Sequence, residues 1–184
     1  MKKVYLLLAT LFFYHLSNAQ ISKGKDFWFG FMENYYQQTG EMRVYITSET
    51  ACSGWISSPL QGWVQTFTVT PGVSTLVVVP YNIGENFNSD VASNQALHVV
   101  TTECVSVFAH YYQAYTSDAA VIFPTNSIGK DYVVTSWSNA SWNNGYPEFL
   151  IAATENATTI DITPTAATVG GHAAGVTYSI SLDS

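Results

Sequence analysis

The sequence predicts an all-β chain: an antiparallel β-repeat of propeller-like, four-stranded units of about 52 residues each. Three observations predict it. First, a phrase recurs as VYITSETACSGWISS from Val44, LHVVTTECVSVFAHY from Leu97 and FLIAATENATTIDITP from Phe149, with Cys52 and Cys104 at matching places in the first two copies. Each copy reads as an apolar run, a turn of Thr, Ser, Glu or Asn, and a second alternating run. Second, apolar and polar residues alternate through much of the chain, the period of a half-buried strand. Third, helix signals are nearly absent after the first 19 residues, while Thr, Val, Tyr and aromatic residues abound.

The elements follow in order. Residues 1–19 have a positive start (Lys2, Lys3), an apolar run from Val4 to Leu16, and small residues Ser17 and Ala19 before Gln20. This is the layout of a secretory signal peptide, and the 13-residue apolar run is too short to span a bilayer. The mature region, residues 20–184, holds one substantial core or two small ones. In DFWFGF, Phe27, Phe29 and Phe31 share one face; in QTFTVT, Phe67 and Val69 point one way and the threonines the other. Pro71-Gly72 is a tight turn. TLVVVP from Thr75 is apolar on both faces and reads as an interior strand. Asn82 to Asn94 is a polar loop; in CVSVFAHY, Val105, Val107, Ala109 and Tyr111 align. Thr116 to Asp118 reads as a turn in which Asp118 caps backbone amides. After a break at Gly129, YVVTSW begins a new run, and Asn139 to Pro147 is a second long loop. TIDIT and VTYSISL alternate again, joined by the small-residue stretch Ala166 to Gly175.

Grouped in fours, these strands give units at Phe27–Thr70, Thr75–Pro124 and Tyr132–Leu182. The alternative is a tandem β-sandwich, with KDFWFG and KDYVVT opening two domains. Three blades cannot close a ring and half a sandwich exposes an edge, so residues 20–184 are expected to form one β domain truncated at the C-terminus.

Charge excludes some partners. Residues 20–184 keep four bases (Lys23, Lys25, Arg43, Lys130) against 13 acids, a net charge of −9. Such a chain repels phosphate backbones and anionic lipid, so nucleic acid is not a partner, and no segment of the mature chain is long enough to span a membrane. No metal, cofactor or catalytic residue is assigned. His98, His110 and His172 are scattered, and no zinc spacing, phosphate-binding glycine pattern or nucleophile elbow is present. Glu33 and Glu148 are the one carboxylate pair to consider for a glycan hydrolase. Cys52 and Cys104 are candidates for one disulfide, or two small buried side chains at strand starts.

The aromatics carry the functional reading. Trp137, Trp142 and Tyr146 lie in or beside a polar loop, where exposed rings suit stacking on sugars or anchoring of a protein partner. The sequence thus predicts a non-enzymatic binding or adhesion module for protein or glycan, with a structural spacer of a larger surface protein as the alternative.

GKDFWFGFMENYY, VYITSE, FTVTPG, HVVTTECVSVFAHYYQAYTSDAAVIFPTNSIGKDYVV and FLIAATENATTIDITP resemble the N-terminal domain of IgG-Fc-binding proteins. The resemblance runs from about Gly24 to the end, with Leu97 to Val134 its most specific part. That domain occurs in mucus-associated animal proteins and in secreted proteins of Bacteroidota-type bacteria. It implies an extracellular, non-enzymatic binding role at the head of a longer surface protein, and it transfers no ligand motif onto particular residues.

Overall fold

The structure is a computed structural model that describes residues 22–35, 39–135 and 147–184. The expected signal peptide and the residues Trp137, Trp142 and Tyr146 lie outside the described residues. In chain order the strands are β1 (Gly24–Phe29), β2 (Phe31–Met32), β3 (Glu41–Thr47), β4 (Cys52–Ser58), β5 (Trp63–Val69), β6 (Thr75–Val79), β7 (Glu85–Asn86), β8 (Leu97–Tyr112), β9 (Asp118–Ile122), β10 (Thr158–Ile162) and β11 (Tyr178–Leu182). One helical turn, α1 (Tyr81–Gly84), precedes β7.

Seven strands form a single, nearly closed barrel-like sheet around β8, in the order β5-β4-β8-β3-β6, with β1 and β9 also paired to β8. β8 has 16 residues. Its N-terminal half pairs with β1 and β4, and its C-terminal half with β3 and β9, all antiparallel. β2 and β7 make a short parallel bridge, and β10 and β11 a separate antiparallel hairpin.

The repeated phrase has a different meaning from the one the sequence suggests. Its first two copies are not units of successive blades. They pair with each other, Ile46 facing Val107 on one side of the midpoint and Trp55 facing Val100 on the other. Both β3 and β4 run antiparallel to β8, so the chain continues along β8 through residues 48–51 instead of reversing. In the second copy the expected turn at Thr102-Glu103-Cys104 is an exposed bulge inside one strand. Gly24 pairs with Val105 and Asp26 with Val100, so two steps of β1 span five of β8.

The bulge is sustained by side chains that satisfy its carbonyl groups. Lys25 Nζ donates to the Thr102 carbonyl at 2.6 Å, Thr101 Oγ1 to that of Glu103 at 2.8 Å, and Ser48 Oγ to that of Cys104 at 3.0 Å. The third copy of the phrase forms only β10, and no strand covers Tyr132–Thr135, where a second sandwich would begin.

Alternation places the core as expected. Phe27, Phe29, Phe67, Val69, Val105, Val107, Ala109 and Tyr111 are buried together with Met42, Val44, Ile46, Ile56, Val77, Val79, Leu97 and Val99. Because β8 buries Thr101 and Val105 on either side of the bulge, its odd residues face inward along both halves. Its bulged residues are the exception.

β6 corrects an expectation. It stands at the end of the strand order, and while Val77 and Val79 are buried, Leu76 and Val78 point outward and are exposed. The 116–118 turn also differs in detail. It is held by Ser117 Oγ, which donates to the Gln113 carbonyl at 2.8 Å, while Asp118 begins β9.

Candidate functional site

The outward residues of β6, β3, β8 and β9 form a partly exposed apolar face. Register puts Leu76, Tyr45, Phe108 and Val121 in one row across four strands, since Tyr45 pairs with Leu76 and with Phe108, and Phe108 pairs with Val121. Leu76 is 45% exposed, Phe108 37% and Val121 43%; Tyr45 is half-buried. The neighbouring row is Val78, Arg43, His110 and Ala119.

Ring contacts tie the rows together. Tyr45 stacks on His110 with centroids 6.2 Å apart, and His110 meets the edge of Tyr112 at 5.8 Å. Arg43 lies over the Tyr112 ring at 4.1 Å, while its Nε donates to Glu41 at 2.7 Å. The Arg43 guanidinium is held above its ordinary range, chiefly by that hydrogen bond to Glu41. The face therefore sets exposed apolar and aromatic side chains beside the Arg43–Glu41 ion pair and His110 on its central strands.

A second outward cluster lies on the other half of β8. Trp28 stacks on His98 at 4.1 Å, and His98 Nε2 is 2.8 Å from Asp26 Oδ2. Ser57 Oγ donates to the backbone carbonyl of His98 at 3.5 Å, so it is engaged with the main chain and not with the imidazole. Beside it, Trp55 lies in an open groove with Thr66, Thr68 and Thr102. His98 and His110, considered as possible neighbours on adjacent strands, both lie on β8. Among the described residues no three His, Cys, Asp or Glu side chains gather around a point where a metal could sit.

The structure brings Glu33 and Glu148 within electrostatic range. The Glu148 carboxyl is held above the usual carboxylate range, first by atoms packed around it and second by the Glu33 charge, although the residue as a whole is exposed. Cys52 and Cys104 are both free thiols. Cys52 packs against the core and Cys104 is exposed on the bulge. Sequence reasoning missed the apolar face because it read β6 as interior. Local pattern carries no signal for it, since Leu76 and Val78 are as apolar as Val77 and Val79.

This geometry defines an all-β scaffold with a partly apolar, solvent-open sheet face. The family model described as IgGFc binding protein matches residues 118–184, the segment that includes β9 and the β10–β11 hairpin. That family is a binding family, not an enzyme family. The resemblance carried by the sequence motifs spans nearly the whole mature region, whereas the match begins at β9. No curated protein and no solved structure matches the chain. No described helix is long and apolar enough to cross a membrane.

Proposed function

We propose that this chain is an exported, non-enzymatic recognition module that binds a protein partner through the outward face of β6, β3, β8 and β9. The observation that carries the reading is the row Leu76, Tyr45, Phe108, Val121, in register across four strands and open to solvent. A protein partner suits it better than a sugar, because the row is apolar and aromatic and its few polar neighbours, Arg43, Glu41 and His110, are already engaged with one another or with Tyr45 and Tyr112. The name of the matched family makes an immunoglobulin G Fc fragment the first partner to test. The export signal at residues 1–19 and the family resemblance support a cell-surface or secreted location, with further domains of a longer protein.

A glycan reading has one observation in its favour, the Trp55 groove with its threonine hydroxyls. The loop aromatics Trp137, Trp142 and Tyr146 remain proposed as contributors to either surface. The test is immobilised Fc fragment beside a glycan array, probed with folded residues 20–184. Saturable Fc binding supports the protein reading, glycan binding lost on Trp55→Ala supports the second, and neither from a cooperatively melting chain favours a structural spacer.

A further inference from the structure

The segment after β10 contains Thr-Val-Gly-Gly-His at residues 168–172. This loop is closed on itself. Thr168 N–H donates to the His172 carbonyl at 3.0 Å, Gly171 N–H to the Thr168 carbonyl at 3.1 Å, and His172 N–H to Thr168 Oγ1 at 3.1 Å. Gly171, at φ +94°, has the left-handed backbone that glycine adopts without strain. Closed in this way, the loop aims two donors at one place. The Thr168 hydroxyl and the Gly170 N–H both donate to Asp90 Oδ2, each at 2.7 Å. The Tyr178 hydroxyl reaches Asp90 Oδ1 at 3.5 Å, its ring lying flat on that of His172 with centroids 3.5 Å apart.

We propose that residues 168–172 form a carboxylate-binding loop whose occupant is the chain's own Asp90, and that this contact fastens the β10–β11 hairpin to the barrel. Asp90 is 78 residues from Thr168 in sequence, in the loop between β7 and β8, so the bonds join distant parts of the chain. Gly170 is required by the close approach. A side chain there would overlap Asp90 Oδ2, with its Cβ only 2.6 Å from the Asp90 Cβ. Asp90 itself sits at φ +55°, a conformation that Asp tolerates better than most residues. The carboxyl is held below the usual range, first by the Thr168 hydroxyl, with the Gly170 amide and the neighbouring His172 acting in the same direction. Donors converging on a carboxylate from a preclosed loop are the chemistry of an acidic-side-chain receptor, here satisfied internally.

The test is a double-mutant cycle read by native-state hydrogen exchange on residues 20–184. Asp90→Gly removes the three atoms nearest to where a side chain at position 170 would sit and suits the positive φ. It should raise exchange in peptides covering 164–178 by about tenfold, the loss of roughly one charge-assisted hydrogen bond at an exposed site, with β8 peptides unchanged. Gly170→Ala should do the same alone and add nothing in the Asp90→Gly background. Unchanged protection at 164–178 in Asp90→Gly, additive effects of the two substitutions, or equal loosening of β8 would each overturn the proposal.

Discussion

Leu76→Lys is the sharpest probe of the proposed recognition face. Leu76 lies on β6 at one end of the four-strand row, with 45% of its surface open. A lysine stem can cover the same patch of sheet while its ammonium reaches water, so the stability change should stay within about 1 kcal/mol. Binding is another matter. Fully burying a leucine is worth about 1.5–3 kcal/mol, and somewhat under half of that is still to be gained at this position. Losing it weakens a complex by about threefold to tenfold, and desolvating the new ammonium adds to the loss. The assay is calorimetric titration of an Fc fragment. Val64→Lys is the control, since Val64 is exposed on β5, which pairs with β4 rather than with the row. Equal affinity for Leu76→Lys and the parent refutes the face as the site. Equal weakening by both lysines refutes it too, because added charge alone would then explain the effect.

Two further substitutions test the scaffold beneath the face. Gly54→Ala places a Cβ against the Val100 carbonyl oxygen and within 2.8 Å of Thr101 Cγ2 and 2.9 Å of Phe67 Cζ. The backbone oxygen cannot swing aside, so the cost should be about 1–3 kcal/mol, seen as a melting temperature lowered by about 2–12 °C; an unchanged melt would show that β4 and β8 are not packed as described. Tyr111→Phe removes the hydroxyl that donates to buried Glu85 Oε1 at 2.6 Å, at a cost of about 1–3 kcal/mol by urea unfolding at pH 8. Burial, followed by the hydrogen bond to Glu85, pushes the Tyr111 phenol well up from its ordinary value. The folded chain therefore keeps this proton while the unfolded chain releases it near pH 10, so the contribution is intact below that pH and declines above it. The Phe variant should lose stability less steeply than the parent between about pH 10 and 11, and identical slopes would remove Tyr111 as the cause.

Alternation is legible in the sequence wherever one face is buried and the other wet. Phe67 and Val69 against their threonines, and Val105 to Tyr111 along β8, belong to the core by period alone. Two features are not legible in this way. The residues at 102–104 are as compatible with a turn as with a bulge, and the choice is made by donors far away in sequence, Lys25 and Ser48, which local pattern does not report. In β6, Leu76 and Val78 carry the same apolar chemistry as Val77 and Val79, so a strand with one exposed apolar face and a buried interior strand read alike. YVVT at 132–135 has strand composition but is in no described strand, because β propensity becomes a strand only beside a partner. The loop aromatics that carry the ligand expectation lie outside the described residues.

The face and the core are two sides of one strand, and that couples function to register. On the C-terminal half of β8, Val105, Val107, Ala109 and Tyr111 face inward while Phe108, His110 and Tyr112 face outward. A slip of one residue would exchange the two sets. Across the bulge at 102–104 the odd residues Thr101 and Val105 both face inward, and the row itself is set by the pairing of the C-terminal half of β8 with β3 and β9. The match to the IgGFc binding family covers only one member of that row, Val121; Leu76, Tyr45 and Phe108 come from before it. A ligand shared across the family would have to be read by the matched segment itself. Fc binding that survives Leu76→Lys would accordingly move the site into residues 118–184, whereas binding lost with Leu76→Lys and kept with Val64→Lys would mark a recognition surface particular to this barrel.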